Sequence, residues 1–372
     1  MKGPDDPREV VAAVAAYGLT GSRRTLSATP LGPDKWRMLL AGARDERITG
    51  LLVSAIRDRV LRASDQQRSE AEHAHEQARY VVLQLERFLL QLVDLLEKRG
   101  IDYRILKGPA LAYLAYPAPW LRAYRDIDLL VPAQQLEVVA GLLAGLGCRQ
   151  DGPPRRPEFY RRFGQGLTFL TTTDSISVDL HRTLAEGPFA QHIQPRDLFA
   201  RSSSFLLDGH RVRALAAEER FLHACAHAVL GGAPPPLLPL RDVAQILQTT
   251  QVDFERVHHL SKSWKAQAVV ARAVCTAWSA FQLSNDVPIA HWAHRYQPTR
   301  SEERTLALYR TKDQDAVMAL AELAVIPGLT ARASYLRDLL LPGGRYLTSF
   351  RLGHLRRSLL AARALLRRRA GS

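Results

Sequence analysis

The stretch ILKGPALAYLAYPAPWLRAYRDIDLLVP, residues 105–132, decides the fold expected for this chain of 372 residues. A short apolar run opens it, and Gly108-Pro109 then begins a helix of small residues. After a proline-rich turn the stretch ends in DIDLLV, an apolar strand that Pro132 closes. A strand, a helix and a second strand at this spacing predict a small mixed α/β sheet.

The same pattern continues downstream of Pro132. Residues 133–145 are predicted to form a helix that ends at a glycine. Further strand-like runs lie at 166–171, 176–181, 204–207 and 210–215. We therefore expect a central α/β unit over residues 100–215.

Helical periodicity dominates on both sides of this unit. Residues 64–99 predict one long helix, because apolar residues recur every three or four positions and Gly100 ends the pattern. Helical patterns return from Ala216 onward. The expected fold class is α+β, a small mixed β-sheet core flanked by helical segments. The predicted divisions are an N-terminal helical segment, the core, a C-terminal helical domain and a basic C-terminal helix or tail, over 1–99, 100–215, 216–350 and 351–372.

Composition restricts the class of protein. The chain is 47% hydrophobic and 24% charged, which is an ordinary globular balance. Its three cysteines, Cys148, Cys225 and Cys275, are too few and too widely spaced for a disulfide framework or a CxxC zinc site. Neither a secretory signal nor an apolar run of membrane-spanning length is present, so we expect a soluble cytoplasmic protein.

The charge balance indicates anionic partners. Lysine and arginine number 51 against 37 acidic residues, which gives a net charge of +14. Residues 351–372 contain seven arginines and no acid, so half of the excess lies there. Nucleotides, nucleic acids and acidic lipid headgroups are all attracted by such a surface. For this last segment we weigh a nucleic-acid or membrane-surface arm against a final packed helix with solvated arginines.

Two carboxylates on the DIDLLV strand are the first candidate site residues. Asp126 and Asp128 share one face of the strand, because side chains two positions apart point the same way. Their mutual repulsion would be relieved by a divalent cation or by a raised pKa of one carboxyl group. Oxygen ligands favour Mg²⁺ or Mn²⁺ over zinc. The pair alone is a weak signal, since a solvent-facing pair at a strand edge is the alternative.

A second strand and a turn strengthen the metal hypothesis. Asp179 lies between apolar neighbours in ISVDLH, and it would be a third ligand if the two strands are adjacent. Lys107-Gly108 forms a strand-to-helix turn, where glycine permits close backbone approach and the helix N-terminus favours an anion. Together these residues could position a nucleoside triphosphate with its metal.

At this point the sequence resembles a known family. The stretch over 105–132 is similar to the signature of the uncharacterised nucleotidyltransferase family within the DNA polymerase β-like superfamily. The similarity continues into VDLH, LHACAHAV, LRDVAQIL and YLRDLLLPGGRYL, at residues 178–181, 222–229, 240–247 and 335–347, and covers the chain from about residue 80 to 350.

The resemblance implies both the reaction and the residues. Such enzymes transfer a nucleoside monophosphate from a nucleoside triphosphate to a hydroxyl group and release pyrophosphate. The implied metal ligands and catalytic residues are Asp126, Asp128 and Asp179. Gly108 would form the phosphate-binding turn, with Lys107 and Arg122 as phosphate contacts. The expected cofactor is Mg²⁺ or Mn²⁺, with ATP as the expected co-substrate and an unidentified small-molecule, peptide or protein hydroxyl as acceptor.

One position departs from the superfamily pattern. The usual Gly-Ser pair is Gly108-Pro109 here, which lacks a hydroxyl and a backbone N–H, although proline suits the first position of a helix. The alternative hypothesis is therefore a catalytically degenerate protein that binds nucleotide or RNA through its basic surface.

Histidines complete the set of candidates. His181 should share the strand face of Asp179, where it could contact a phosphate, orient a carboxylate or serve as a buried structural residue. His223 and His227 are four residues apart, a spacing that suits zinc, but the glutamate of an HExxH motif is missing. The resemblance instead implies that this helix lines the nucleotide cleft, with His227 as the contact. Arg241-Asp242 is interpreted as a pair at the start of a helix.

Overall fold

The computed structural model describes residues 7–151, 157–173, 175–231, 234–284, 287–309 and 314–340. Within these ranges seven strands form one mixed sheet, with helices before, between and after them. The expected α+β class, a small mixed sheet flanked by N-terminal and C-terminal helices, is confirmed. The predicted basic helix or tail over 351–372 lies outside the described residues.

The N-terminal helices include the long helix that the sequence predicts. It spans Asp65–Lys98, and Ser64 begins it with a capping box, in which Ser64 and Gln67 satisfy each other's backbone N–H groups. Gly100 follows its end with a φ of +63°, a left-handed conformation that suits glycine. The helices of this segment are α1 (Pro7–Ala16), α2 (Pro33–Asp45), α3 (Thr49–Arg57) and α4 (Asp65–Lys98).

The central unit contains every strand of the sheet. Its strands are β1 (Arg104–Ile105), β2 (Asp126–Leu130), β3 (Cys148–Asp151), β4 (Gly166–Thr171), β5 (Ser177–His181), β6 (Ser203–Leu207) and β7 (His210–Ala214). Its helices are α5 (Gly108–Ala115), α6 (Leu136–Gly145), α7 (Pro157–Arg162) and α8 (Pro195–Phe199), with 3-10 turns at Pro119–Leu121, Ala133–Gln135 and Gly187–His192. The predicted strands are confirmed within one residue at either end, whereas β3 was missed because three of its four residues are exposed and polar.

Strand order brings two distant parts of the chain together. The spatial order is β3-β4-β5-β2-β1-β7-β6. β2 pairs in parallel with β5, and β1 pairs in parallel with β7, while the other neighbouring strands are antiparallel. β2 and β5 therefore lie side by side at the centre of the sheet.

The C-terminal helices share a core with the N-terminal ones. They are α9 (Ala217–Leu230), α10 (Leu237–Thr249), α11 (Phe254–Ser263), α12 (Gln267–Phe281), α13 (Pro288–Arg295), α14 (Arg300–Leu308), α15 (Gln314–Val325) and α16 (Leu329–Leu340). One hydrophobic cluster contains buried residues of α1–α3 together with those of α9, α10 and α12. The division of the chain at residues 99 and 215 stays a prediction.

The long helix α4 joins this helical core to the sheet. Ala71 and Ala74, in its first half, belong to the cluster of helices, whereas Leu85 and Leu92, in its second half, pack with the sheet. The α2–α3 end of the N-terminal segment is thereby held beside the strands that carry the candidate site. No helix within the described ranges has both the length and the apolar character needed to cross a membrane.

Candidate active site

The parallel pairing of β2 with β5 aligns the predicted carboxylates. Asp128 is the direct cross-strand partner of Asp179, and Asp126 is the partner of Ser177. Ligand atoms of Asp128, Asp179 and His181 lie within 4.8 Å of one another. Asp126 is two residues before Asp128 on the same face but does not belong to this group of three. Asp179 was expected to join the site only if its strand lies next to that of Asp128, and the two strands are indeed adjacent.

Asp128 lies at the centre of the group and is fully buried. Its Oδ1 accepts a hydrogen bond from Lys107 Nζ at 2.7 Å and lies 2.9 Å from His181 Nε2. Burial raises the pKa of Asp128, but the charge of Lys107 and the hydrogen bond from His181 outweigh it and hold the pKa well below its usual range. Asp128 is therefore a carboxylate, and His181 donates to it through Nε2.

Two atoms of this pair are left without a partner among the described residues. Asp128 Oδ2 and His181 Nδ1 are buried, and neither makes a hydrogen bond. Native proteins rarely leave such atoms unsatisfied. Since Oδ2 belongs to a carboxylate that faces Asp179 across neighbouring strands, the donor set fits a divalent cation that prefers oxygen ligands.

Asp126 differs from Asp128 in its electrostatics. Burial raises the pKa of Asp126, the negative charge of Asp128 raises it further, and Lys107 and Arg47 partly oppose the rise. The pKa of Asp126 is thus raised while that of Asp128 is lowered, as the sequence predicts for two carboxyl groups on one face of a strand. The assignment of Asp126 as a metal ligand stays a prediction.

A threonine on the neighbouring strand orients Asp179. Thr168 of β4 is the cross-strand partner of Asp179, and its hydroxyl donates a 2.7 Å hydrogen bond to Asp179 Oδ1. This bond holds Oδ1 of Asp179 in place and leaves Oδ2 available for a ligand. Sequence reasoning missed Thr168, because strand pairing alone decides its neighbour.

The Lys107-Gly108 turn lies directly beside the carboxylates. Gly108 has a φ of +40°, and a Cβ there would lie 3.4 Å from the backbone oxygen of Asp126. Glycine is needed for this conformation, because other residues are strained at positive φ. Pro109 follows near the start of α5, where a missing N–H costs least. The turn thus presents Lys107 and the start of a helix to the site.

Arg122 is committed to a partner in the C-terminal helices. Its Nε and Nη2 donate to Asp242 Oδ1 and Oδ2, each at 2.8 Å, and its Nη1 donates to the Gly108 carbonyl at 3.3 Å. Burial lowers the pKa of Arg122, but Asp242 outweighs it and the pKa is raised. Arg122 holds the turn to helix α10, and its predicted contact with phosphate stays a prediction.

The interpretation of Arg241-Asp242 as a helix-start pair was wrong. Helix α10 begins at Leu237, so both residues lie beyond its first turn. Asp242 binds Arg122 and also accepts a 2.8 Å hydrogen bond from Tyr116. Arg241 donates to the backbone oxygens of Ala15 and Tyr17. The pair joins three segments and does not complement a helix dipole.

Helix α9 turns its two histidines toward the same site. Burial, followed by the nearby charge of Lys107, lowers the pKa of His227 to about 3. Burial, followed by the charge of Lys107, also holds the pKa of His223 well below its usual range. Both side chains are therefore neutral near Lys107 and Asp128. Neither histidine belongs to the group of three potential metal ligands found in the described residues, which is Asp128, Asp179 and His181.

Comparison with known families gives the assignment. A family described as uncharacterised nucleotidyltransferase matches residues 32–282. The chain belongs to this family. The match begins well before residue 80, where the resemblance was expected to start, and it ends before the segment at 335–347.

Three solved structures of nucleotidyltransferases or nucleotidyltransferase-like proteins are similar to about half of this chain. ANT(2″)-Ia in complex with adenylyl-2″-tobramycin is 16% identical in sequence to this chain and has a TM-score of 0.35. The match covers 49% of this chain and 97% of the ANT(2″)-Ia chain. An antigenic nucleotidyltransferase-like protein from Paracoccidioides brasiliensis is 13% identical, with 53% and 92% covered and a TM-score of 0.33. The lincosamide adenylyltransferase LnuA, lincomycin-bound, is 16% identical, with 48% and 94% covered and a TM-score of 0.25. Because these identities and TM-scores are low, the solved structures do not add support to the family match. No curated protein matches the chain.

The matched part of this nucleotidyltransferase includes one arginine that sequence reasoning missed. Arg47 lies in the turn between α2 and α3, and the charges of Asp126, Arg122 and Asp242 act on it. In the sequence it is one arginine among many in a helical segment, and nothing in the local pattern relates it to residues about 80 positions away.

Proposed function

We propose that this nucleotidyltransferase transfers a nucleoside monophosphate from a nucleoside triphosphate to a hydroxyl group, with release of pyrophosphate and dependence on Mg²⁺. The observation that carries the proposal is the in-register pairing of Asp128 with Asp179, with a buried carboxylate oxygen of Asp128 left without a partner. ATP is the proposed donor. The proposed acceptor is a hydroxyl group of a small molecule, peptide or protein.

Three carboxylates would hold the metal. Asp128 and Asp179 face each other across neighbouring strands, and Asp126 lies two residues before Asp128 on the same face. When bound, divalent cations supply charge neutralisation at the phosphates and lower the pKa of an attacking hydroxyl group. Oxygen-rich ligands of this kind are those that Mg²⁺ prefers.

The chain's own cations would bind the phosphates. Lys107 Nζ lies 2.7 Å from Asp128 Oδ1. Its ammonium group would therefore lie beside the carboxylates, in the same site as the bound triphosphate. Gly108 and the start of α5 present backbone to the same place. The neutral His227 on α9 lies near Lys107 and would line the nucleotide cleft without adding charge.

Burial would make these contacts effective. Asp128 is fully buried and the side chain of Lys107 is only 17% exposed, so water competes little for their charges. Electrostatic contacts that are already in place before the reaction contribute strongly to catalysis, because they need no reorganisation in the transition state. Since phosphoryl chemistry depends mostly on positioning and charge neutralisation, the arrangement suits this class of reaction.

Calorimetry with each of the four nucleoside triphosphates, with and without Mg²⁺, tests the donor site. We expect Mg²⁺-dependent binding by the wild type and a loss of at least tenfold in affinity for Asp128→Asn. The matched control is Asp94→Asn, which removes an exposed carboxylate that pairs with Lys98 on α4. Equal binding by the wild type and Asp128→Asn would contradict the proposed site.

Turnover is tested separately from binding. The wild type is incubated with a triphosphate labelled at the α-phosphate and with pools of hydroxyl-bearing small molecules, peptides or protein, and pyrophosphate release is measured. The proposed reaction is supported if the wild type transfers the label to an acceptor and the Asp128→Asn variant does not. Tight triphosphate binding without transfer to any acceptor would favour the alternative, a degenerate nucleotidyltransferase that binds nucleotide or RNA.

A further inference from the structure

Arg47 holds an unusual backbone conformation at the end of α2. Its φ is +58°, a left-handed value that glycine normally adopts at this position after a helix. Its N–H donates to the Arg44 carbonyl at 3.1 Å, and the next N–H, of Ile48, donates to Ala43 at 2.9 Å. The chain therefore places a long cationic side chain where glycine would fit with less strain.

The turn that carries Arg47 is fastened to the candidate site on two sides. Glu46 accepts hydrogen bonds from the backbone N–H groups of Leu237 at 2.7 Å and Leu238 at 3.2 Å, at the start of α10. Arg125, next to Asp126, donates to the Arg44 carbonyl at 3.0 Å. The turn is thus fixed between the helix that carries Asp242 and the segment that leads into β2.

A close backbone contact fixes the position of the following helix. A Cβ on Gly50, in the first turn of α3, would lie 2.3 Å from the carbonyl oxygen of Trp120. Only glycine permits this approach without displacing the backbone. The turn that carries Arg47 is therefore held close to the segment that leads into β2 by contacts that do not involve the Arg47 side chain.

The Arg47 guanidinium has no bound partner among the described residues, although it is partly buried. No hydrogen bond or ion pair of its side chain is found there, in contrast to its neighbours. Arg122 binds Asp242 through Nε and Nη2, and Arg125 donates to a carbonyl. Among these three arginines, Arg47 is the one whose side chain makes no hydrogen bond or ion pair with the described residues, while the charges of Asp126 and Asp242 act on it.

We propose that Arg47 binds the phosphate chain of the nucleoside triphosphate, on the Asp126 side of the site. The inference rests on the proposed function, because a triphosphate is the anion that this site would receive. A guanidinium matches phosphate oxygens with two parallel hydrogen bonds, which an ammonium group cannot do. A cation held by Asp126 would offset the negative charge that acts on Arg47, and a phosphate oxygen would then be the acceptor for its guanidinium.

The matched pair Arg47→Gly and Arg59→Gly tests this assignment. Arg59 follows α3 in the same conformation, with a φ of +60°, but it is exposed. Both changes relieve the same backbone strain, so we expect neither to lower the thermal unfolding midpoint. For Mg²⁺-triphosphate binding measured by calorimetry, we expect Arg47→Gly to lose about tenfold or more, as for one charged hydrogen-bonded contact, and Arg59→Gly to match the wild type.

A metal titration separates a phosphate contact from an effect on Asp126. Mn²⁺ binding without nucleotide is measured for the wild type and Arg47→Gly, and we expect equal affinities. If Mn²⁺ affinity falls in parallel with triphosphate affinity, Arg47 acts through the carboxylate and the proposed contact is wrong.

The remaining outcomes distinguish the inference from the function on which it rests. If the wild type binds Mg²⁺-triphosphate and Arg47→Gly binds it equally well, the inference is overturned and the proposed function stands. If the wild type binds no triphosphate under any condition, the proposed function fails and the inference falls with it.

Discussion

The guanidinium of Arg122 and the carboxylate of Asp242 form a buried bidentate ion pair, with both N–O distances at 2.8 Å. Arg122 lies between the Lys107-Gly108 turn and β2, whereas Asp242 lies on α10, 120 residues later in the chain. The same arginine donates to the carbonyl of Gly108. The pair therefore connects the C-terminal helices to the turn on which the proposed phosphate binding depends.

Asp242→Asn is expected to destabilise the fold. It leaves the buried Arg122 charge uncompensated, and breaking one partner of a buried pair costs about 3–5 kcal/mol in the free energy of unfolding. Urea unfolding measures the change. Asp34→Asn is the control, because its pair with Arg37 is exposed and should contribute less than about 1 kcal/mol. A similar small loss for both variants would show that the Arg122–Asp242 pair does not hold the helices to the turn.

Thr168→Val is expected to weaken metal binding without removing a ligand. The hydroxyl of Thr168 orients Asp179, and loss of such a supporting hydrogen bond lowers metal affinity by about tenfold or more. Mn²⁺ titration measures the change. Thr171→Val is the matched control on the same strand, because its hydroxyl bonds to Thr173 and Ser175. Unchanged affinity in Thr168→Val would mean that Asp179 needs no orientation or does not bind the metal.

Gly108→Ala is expected to impair triphosphate binding beyond its effect on stability. Alanine at a φ of +40° costs about 1–2 kcal/mol, and relief of that strain would shift the turn beside Asp126. Gly18→Ala is the control, since Gly18 has a φ of +77° and open space around it. We expect comparable losses of stability for both, with weaker binding for Gly108→Ala alone. Full binding by Gly108→Ala would show that the turn does not need this conformation.

His75 makes the stability of the fold depend on pH. Burial, followed by the charges of Arg79 and Arg57, lowers the pKa of His75 to about 4. The unfolded chain takes up a proton near the ordinary histidine pKa of about 6.5, whereas the folded chain does not, so stability is lost as pH falls below that value. Between pH 7 and pH 5 this one residue should cost about 2 kcal/mol in the free energy of unfolding.

His75→Gln tests this dependence against a neighbour on the same helix. Urea unfolding at pH 7 and pH 5 should show a smaller decrease for His75→Gln than for the wild type. His73→Gln is the control, because His73 is exposed. If the decrease with falling pH is the same in the wild type and His75→Gln, His75 does not remain neutral in the folded chain.

Local pattern in the sequence determined the elements that carry the site. Regular apolar spacing, ended by Gly100, predicts α4, and the DIDLLV run predicts β2 with Asp126 and Asp128 on one face. The Gly108-Pro109 pair likewise predicts the turn and the helix that follows it. These features depend on contacts within a few residues, for which periodicity and backbone preference are sufficient evidence.

Only the tertiary structure decided which distant residues meet at that site. The register that places Asp128 beside Asp179 depends on pairing between strands that are separated by α6, α7, β3 and β4. The partner of Arg122, the support that Thr168 gives Asp179 and the place of Arg47 beside Asp126 have no local signal, because each depends on packing between separate segments. Helix periodicity fixes which face of a segment is buried, but it does not determine the segment against which that face packs.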